Sequence, residues 1–134
     1  VSHWTVPFEA NFPMALDEAE HRVFVATRSP ARMAVFDTNS GRMVASLPCV
    51  QGSDDMYFDA ARKRVYVTGG EGYISVFQEK DLDHFQSMGA IPSALGARTS
   101  GYFGKGRKGF DIFYVAVPAR VDRGAEILLY TVQD

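Results

Sequence analysis

Leu16-Asp17-Glu18-Ala19-Glu20-His21-Arg22-Val23-Phe24-Val25-Ala26-Thr27 recurs further along the chain as Phe58-Asp59-Ala60-Ala61-Arg62-Lys63-Arg64-Val65-Tyr66-Val67-Thr68-Gly69. Each copy reads the same way: an apolar residue, an aspartate opening a polar turn, then a β-branched and aromatic run. Val23 and Val65 set an offset of 42 positions. A looser third copy runs from Phe103 to Tyr114-Val115-Ala116-Val117, with Tyr114 placed 48 positions after Tyr66. Self-similarity at a period of about 40–50 residues, built from short strands, is the mark of stacked sheet repeats such as propeller blades.

Around the first copy, Phe12-Pro13-Met14-Ala15-Leu16 is an apolar run, and Val23 to Thr27 is too short for a helix. Arg28-Ser29-Pro30-Ala31 breaks it, and Met33-Ala34-Val35-Phe36 follows. Asp37-Thr38-Asn39-Ser40-Gly41 is a strong turn signal, after which Met43 to Leu47 closes the unit. The second unit repeats the order with Asp55–Phe58, Val65–Thr68, Tyr73–Phe77 and Phe85–Ile91, and its ending Ile91-Pro92 matches Leu47-Pro48. The third supplies Thr99–Phe103, Ile112–Val117 and Glu126–Val132, while His3-Trp4-Thr5-Val6-Pro7 looks like an orphan fourth strand. Runs such as Val23-Phe24-Val25 are apolar without alternation, so both faces are expected to be buried. The expected fold is therefore all-β. It is a β-propeller of four-stranded antiparallel blades, about three in this chain, with repeats over 11–53, 54–97 and 98–134 and residues 3–7 as an outer strand.

Composition narrows the function classes. A formal net charge of −2 creates no general attraction to nucleic acid or membrane surfaces, and 46% apolar residues is ordinary for a globular domain. The single cysteine, Cys49, excludes an internal disulfide and reads as a buried thiol within Leu47-Pro48-Cys49-Val50. No apolar run approaches the roughly 18 residues needed to span a bilayer. Val1-Ser2-His3-Trp4 carries neither an initiator Met nor a signal sequence and reads as the start of an excised or processed chain.

Tyr66-Val67-Thr68-Gly69-Gly70 and Val35-Phe36-Asp37-Thr38-Asn39-Ser40-Gly41-Arg42-Met43-Val44, with Tyr114-Val115-Ala116-Val117-Pro118, resemble the YVTN-repeat (YncE-like) β-propeller family. The resemblance spans residues 11 to 134. It implies a propeller with more blades than this chain holds, often exported, serving as a binding or scaffold module without catalysis. Two departures stand out. Gly69 replaces the asparagine of the namesake motif, and the turn between the first two strands of the third unit is longer, 103 to 114 against 58 to 66. Three blades cannot close a ring. The missing ones are expected either from a longer chain or from a second copy joined head-to-tail, with residues 3–7 completing the partner's last blade. The latter is a homo-oligomer.

Propeller ligands sit at the axial mouth, on the loops that enter each blade and those between its second and third strands. Here those loops carry Asn11, Asp54, Asp55, Arg98 and Thr99, with Arg28, Glu71 and Arg120 beside them. An arginine next to hydroxyls suits a carboxylate or phosphate, and paired aspartates suit a cation or an amine. The bland alternative is mutual pairing, for instance Arg98 with Asp54. A metal-dependent propeller hydrolase or lactonase using Asn11, Asp54 and Asp55 is the enzymatic alternative. A third reading is polyanion binding at the opposite end by Arg62, Lys63, Arg64, Lys105, Arg107 and Lys108. Asp17, Glu18 and Glu20 dilute that patch, and it has no aromatic platform for bases.

Gly104-Lys105-Gly106-Arg107-Lys108-Gly109 is a literal G-x-G-x-x-G, but a strand rather than a helix follows it, so a hairpin tip is expected and not a dinucleotide site. His3, His21 and His84 show no ligand spacing, and no nucleophile–base–orienter set assembles. No cofactor and no metal are expected.

Overall fold

The computed structural model describes residues 1–107 and 110–134. The strands follow the repeat. Sheet 1 contains β1 (Glu9–Asp17), β2 (Arg22–Ser29), β3 (Ala31–Asp37) and β4 (Met43–Pro48). Sheet 2 contains β5 (Ser53–Asp59), β6 (Arg64–Gly69), β7 (Tyr73–Asp81) and β8 (His84–Pro92). Sheet 3 contains β9 (Thr99–Arg107), β10 (Phe110–Val117) and β11 (Glu126–Thr131). Neighbouring strands are hydrogen-bonded in sequence order and all pairings are antiparallel. The architecture is all-β.

Side-chain alternation then stacks the sheets in series. Phe24 and Ala26 of β2, with Met33 and Val35 of β3, form one face of sheet 1 and pack on Val65, Val67 and Phe77 of sheet 2. Ala45 and Leu47 of β4 extend this layer, as do Phe58 and Phe85 from the other side. Tyr66, Ile74 and Val76 point from the opposite face of sheet 2 and meet Phe113, Val115 and Val117 of sheet 3. Sheet 2 is thus covered on both sides, which is why Val65-Tyr66-Val67 is apolar at every position. The leading strands lie in a row, β1 against β5 and β5 against β9.

The polar turns are built alike in the first two repeats. Asp17 and Asp59, both buried, accept backbone N–H bonds within the turns they open: Asp17 Oδ1 from Glu20, and Asp59 Oδ1 from Ala61 and Arg62. The arginine that ends each turn reaches forward to the next sheet. Arg22 donates to Leu82 O at 2.9 Å and to Asp83 Oδ1 at 2.7 Å, and Arg64 donates to Gln133 O at 2.6 Å.

Two expectations need correction. His3–Pro7 forms no strand; instead Val6 and Phe8 pack on Val25, Ala34 and Phe36, on the face of sheet 1 turned away from sheet 2. A lone segment lacking a strand alongside it cannot satisfy the ladder, so it lies down as apolar cover. In the third unit the extra residues do not enlarge a loop. They lengthen β9 to Arg107 and start β10 at Phe110, and Arg107 pairs with Phe110. Lys108, Gly109 and the side chain of Arg107 lie outside the described residues.

Candidate functional site

Antiparallel hairpins bring the starts of β1, β5 and β9 to one end, beside the β2–β3, β6–β7 and β10–β11 connections. The registers that do this are Asn11 with Thr27, Ser53 with Gly69, and Thr99 with Ala116. Asn11 and Asp54 therefore sit on strands rather than in loops, Asp55 and Thr99 lie on the strands expected to begin with them, and Arg98 immediately precedes β9. Bulges between Asn11 and Met14 and between Ser53 and Asp55 re-aim these positions, a common use of a bulge at a sheet end.

Some of the candidates meet. Arg28 donates through Nε and Nη2 to Ser53 O, at 2.8 and 2.6 Å, and through Nη2 to Asp54 Oδ1 at 3.1 Å. Its guanidinium also lies 3.8 Å from the centre of the Phe12 ring. Asp55 Oδ2 accepts from Ser100 N at 2.7 Å, and Glu71 Oε2 accepts from Gln51 N at 2.9 Å. The pairing of Asp54 with Arg98 does not form, because Arg28 is its partner. Arg98 instead lies against the backbone of Gly70 and is exposed, with no ion pair among the described residues. Asn11 and Thr99 are exposed as well.

The glycines of this end have a steric cause. A Cβ on Gly69 would stand 2.4 Å from Gln51 O, so the chain entering β5 can cross the β6–β7 turn only over a glycine. The loops then bond to each other, Gly70 N to Gly52 O at 3.0 Å and Gly96 N to Gly70 O at 2.7 Å.

A set of hydroxyls, missed in the sequence, ties the leading strands together beneath this surface. Ser53 Oγ donates to Phe12 O at 3.2 Å, Tyr57 Oη to Ser100 O at 2.5 Å, and Thr68 Oγ1 to Arg98 O at 2.9 Å. Ser53 and Thr68 are fully buried; Thr68 carried a signal, a lone hydroxyl at the end of the apolar run Val65-Tyr66-Val67, whereas Ser53 within Gly52-Ser53-Asp54 carried none. The guanidiniums of Arg120 and Arg123 close the third unit onto the loop before it, both reaching Leu95 O.

At the opposite end Arg62, Lys63, Arg64 and Lys105 are already engaged. Arg62 pairs with Asp59, Asp111 and Asp134, Lys105 with Asp134 at 2.8 Å, and Lys63 stands 3.8 Å from Asp17. Arg64 is held by Gln78 Oε1 and Gln133 O.

Cys49, expected to be buried, is half-buried beside Val50; desolvation still pushes its thiol up to about 12, with Arg32 opposing the shift and Glu71 adding to it. Because the thiolate is the reactive species, Cys49 in the folded protein should react with a disulfide reagent at pH 8 at least about 100-fold more slowly than in the urea-unfolded chain. Equal rates would show that the thiol is neither buried nor shifted.

Among the described residues no three of His, Cys, Asp and Glu gather as a metal-ligating group. No helix there is long and apolar enough to cross a membrane. No protein-family model matches this chain, and no curated protein matches it.

Proposed function

We propose that this chain is three blades of a β-propeller of the YVTN-repeat type, and that it works as a non-catalytic binding module. Its ligand face is the end where β1, β5 and β9 begin. One observation carries the reading: Arg98 is exposed and has no ion pair among the described residues, while the other charged candidates Arg28, Asp54, Asp55 and Glu71 are each held by a protein partner. Arg28 and Asp54 neutralise one another, and Asp55 and Glu71 are spent on backbone N–H groups. Arg98 is therefore the cation of this group left without a carboxylate partner among the described residues, next to Thr99 in the chain. That combination fits a carboxylate or phosphate group on a small ligand or a protein segment. The same accounting leaves Asp54 and Asp55 committed, which favours binding over metal-assisted hydrolysis.

The test is a titration of the chain with inorganic phosphate and, separately, acetate, followed by backbone amide shifts. The expected result is saturable movement confined to Gly70, Arg98, Thr99 and their neighbours, abolished by Arg98→Ala. Movement spread over the surface, or unchanged in the variant, would overturn the reading.

A further inference from the structure

Two departures from the repeat bring acidic side chains to the junction of sheets 1 and 2, where each sheet has all four of its strands. The turns opened by Asp17 and Asp59 align, so Glu20 stands where the second unit has Arg62. Arg62 reaches back to its own aspartate, Nη1 donating to Asp59 Oδ2 at 3.0 Å. Glu20 has no such proton to give Asp17. The second departure is Glu79. Its backbone N donates to Lys63 O at 2.9 Å, just as Thr38 N does to His21 O and Val132 N to Asp111 O. These equivalent bonds carry a threonine, a glutamate and a valine, so only sheet 2 places a charge at this point.

Both acids end up short of donors. Asp17 is 4% exposed; its Oδ1 accepts from Glu20 N, but its Oδ2 is closed off from solvent and accepts no hydrogen bond among the described residues. Oε2 of the half-buried Glu79 is in the same state. Lys63, from the turn between β5 and β6, faces both: its Nζ is 3.8 Å from Asp17 Oδ2, and its charge also acts on the Glu79 carboxyl. Arg22, the other cation here, is spent on Leu82 O, Asp83 Oδ1 and Asp37. The charged groups that face Glu79 are thus Asp17 and Glu20 from β1 and the turn after it, Arg22 from β2, and Lys63 from its own sheet. Along β7 itself, Lys80 is exposed and Asp81 pairs with His84.

A carboxylate oxygen buried without a donor bears its desolvation cost uncompensated. Here two such oxygens share one ammonium, an arrangement relieved when one carboxyl becomes neutral. Burial pushes the Glu79 carboxyl above its ordinary value, Lys63 and Arg22 opposing the shift and Asp17 and Glu20 adding to it.

We propose that the junction of sheets 1 and 2 is a proton-sensitive contact: one proton taken up at Glu79 removes a charge facing Asp17, leaves Lys63 to Asp17 alone and tightens the joint between the sheets, and its loss loosens that joint. The sign follows from linkage. A carboxyl raised in the folded state adds stability that is fully present below the unfolded value of about 4.3 and is lost as pH rises through the folded value. The junction lies at the end away from the ligand face, and the inference does not rest on that face.

The test is urea unfolding of the whole chain and of Glu79→Gln between pH 4 and pH 8, together with NMR titration of the Glu79 carboxyl in the unaltered protein and in Asp17→Asn. Glutamine is neutral throughout and keeps the size of a protonated glutamate. At pH 8 the urea midpoint of Glu79→Gln should lie above that of the unaltered protein at unchanged slope. The gap should close toward pH 4, where Glu79 carries its own proton. The Glu79 carboxyl should titrate above about 4.3 in the unaltered protein and at a lower pH in Asp17→Asn. A Glu79→Gln midpoint equal to or below the unaltered one at pH 8 would overturn the proposal, as would a gap of the same size at both ends of the range. A Glu79 titration at or below its ordinary value, or one that Asp17→Asn leaves in place, would overturn it independently of how the glutamine variant folds.

Discussion

Arg62→Met should destabilise the fold by about 3–5 kcal/mol, the cost of breaking a buried ion pair from one side. The Arg62 side chain is 6% exposed and holds three carboxylates at once. Nη1 donates to Asp59 Oδ2 and to Asp111 Oδ1, both at 3.0 Å, Nη2 to Asp111 Oδ2, and Nε to Asp134 Oδ1 at 2.9 Å. The variant leaves Asp59 charged and buried without its counter-ion. The loss should appear as a lower urea midpoint at unchanged slope. Adding Asp59→Asn to Arg62→Met should recover part of it, since the uncompensated charge is then gone.

The pH dependence follows from the same pair. Burial works against the charge of Asp59, but the neighbouring Tyr102 hydroxyl and the Arg62 guanidinium outweigh it and hold this carboxyl below its ordinary value. A carboxyl depressed in the folded state adds stability that is fully present above the unfolded value of about 3.9 and is lost as pH falls through the folded value. Stability measured from pH 6 down toward pH 2 should therefore fall more steeply in the unaltered protein than in Arg62→Met. Parallel curves would mean that Arg62 does not hold Asp59 in its charged form.

Phe24→Ala should cost about 3–5 kcal/mol, the range for emptying an aromatic site in a core that closes only partly. Phe24 is fully buried between sheets 1 and 2. Its ring stacks on Phe58 with centroids 5.0 Å apart and meets Phe85 edge-on at 5.7 Å. Those partners come from β5 and β8, so the substitution opens a void at the junction of two repeats and should lower the thermal transition of both together. Leu129→Ala is the control: exposed in the single chain, it should change one-chain stability by no more than about 0.5 kcal/mol. A loss below about 1 kcal/mol for Phe24→Ala would mean that the sheets hold together by something other than this apolar layer.

The strands were legible because their signals are local. Val23 to Thr27 and Val65 to Thr68 are β-branched and aromatic between aspartate-led turns, and β2 and β6 form where those signals stand. Asp17 and Asp59 sit at equal repeat positions and both bond the turns they open. The candidate site was legible in position but not in pairing. Asn11, Asp54, Asp55, Arg28, Glu71, Arg98 and Thr99 all lie at one end, yet Asp54 takes Arg28 as its partner and leaves Arg98 unpaired. Nothing within a repeat states that choice, because it depends on how far each side chain reaches across a bulge to the neighbouring sheet.

The sequence by itself determined the class, the repeat length, the strand order within each unit and the residues that turn the chain. All of these rest on contacts between residues a few positions apart. Tertiary structure alone decided which face of each sheet meets the next, where residues 3–7 lie, and which carboxylates claim Arg62. Asp134 is 72 positions from Arg62, and Ser100 is 43 from Tyr57. Pairings at such separations are set by the stacking of rigid sheets, whose offset follows from the sum of apolar contacts and from no local pattern.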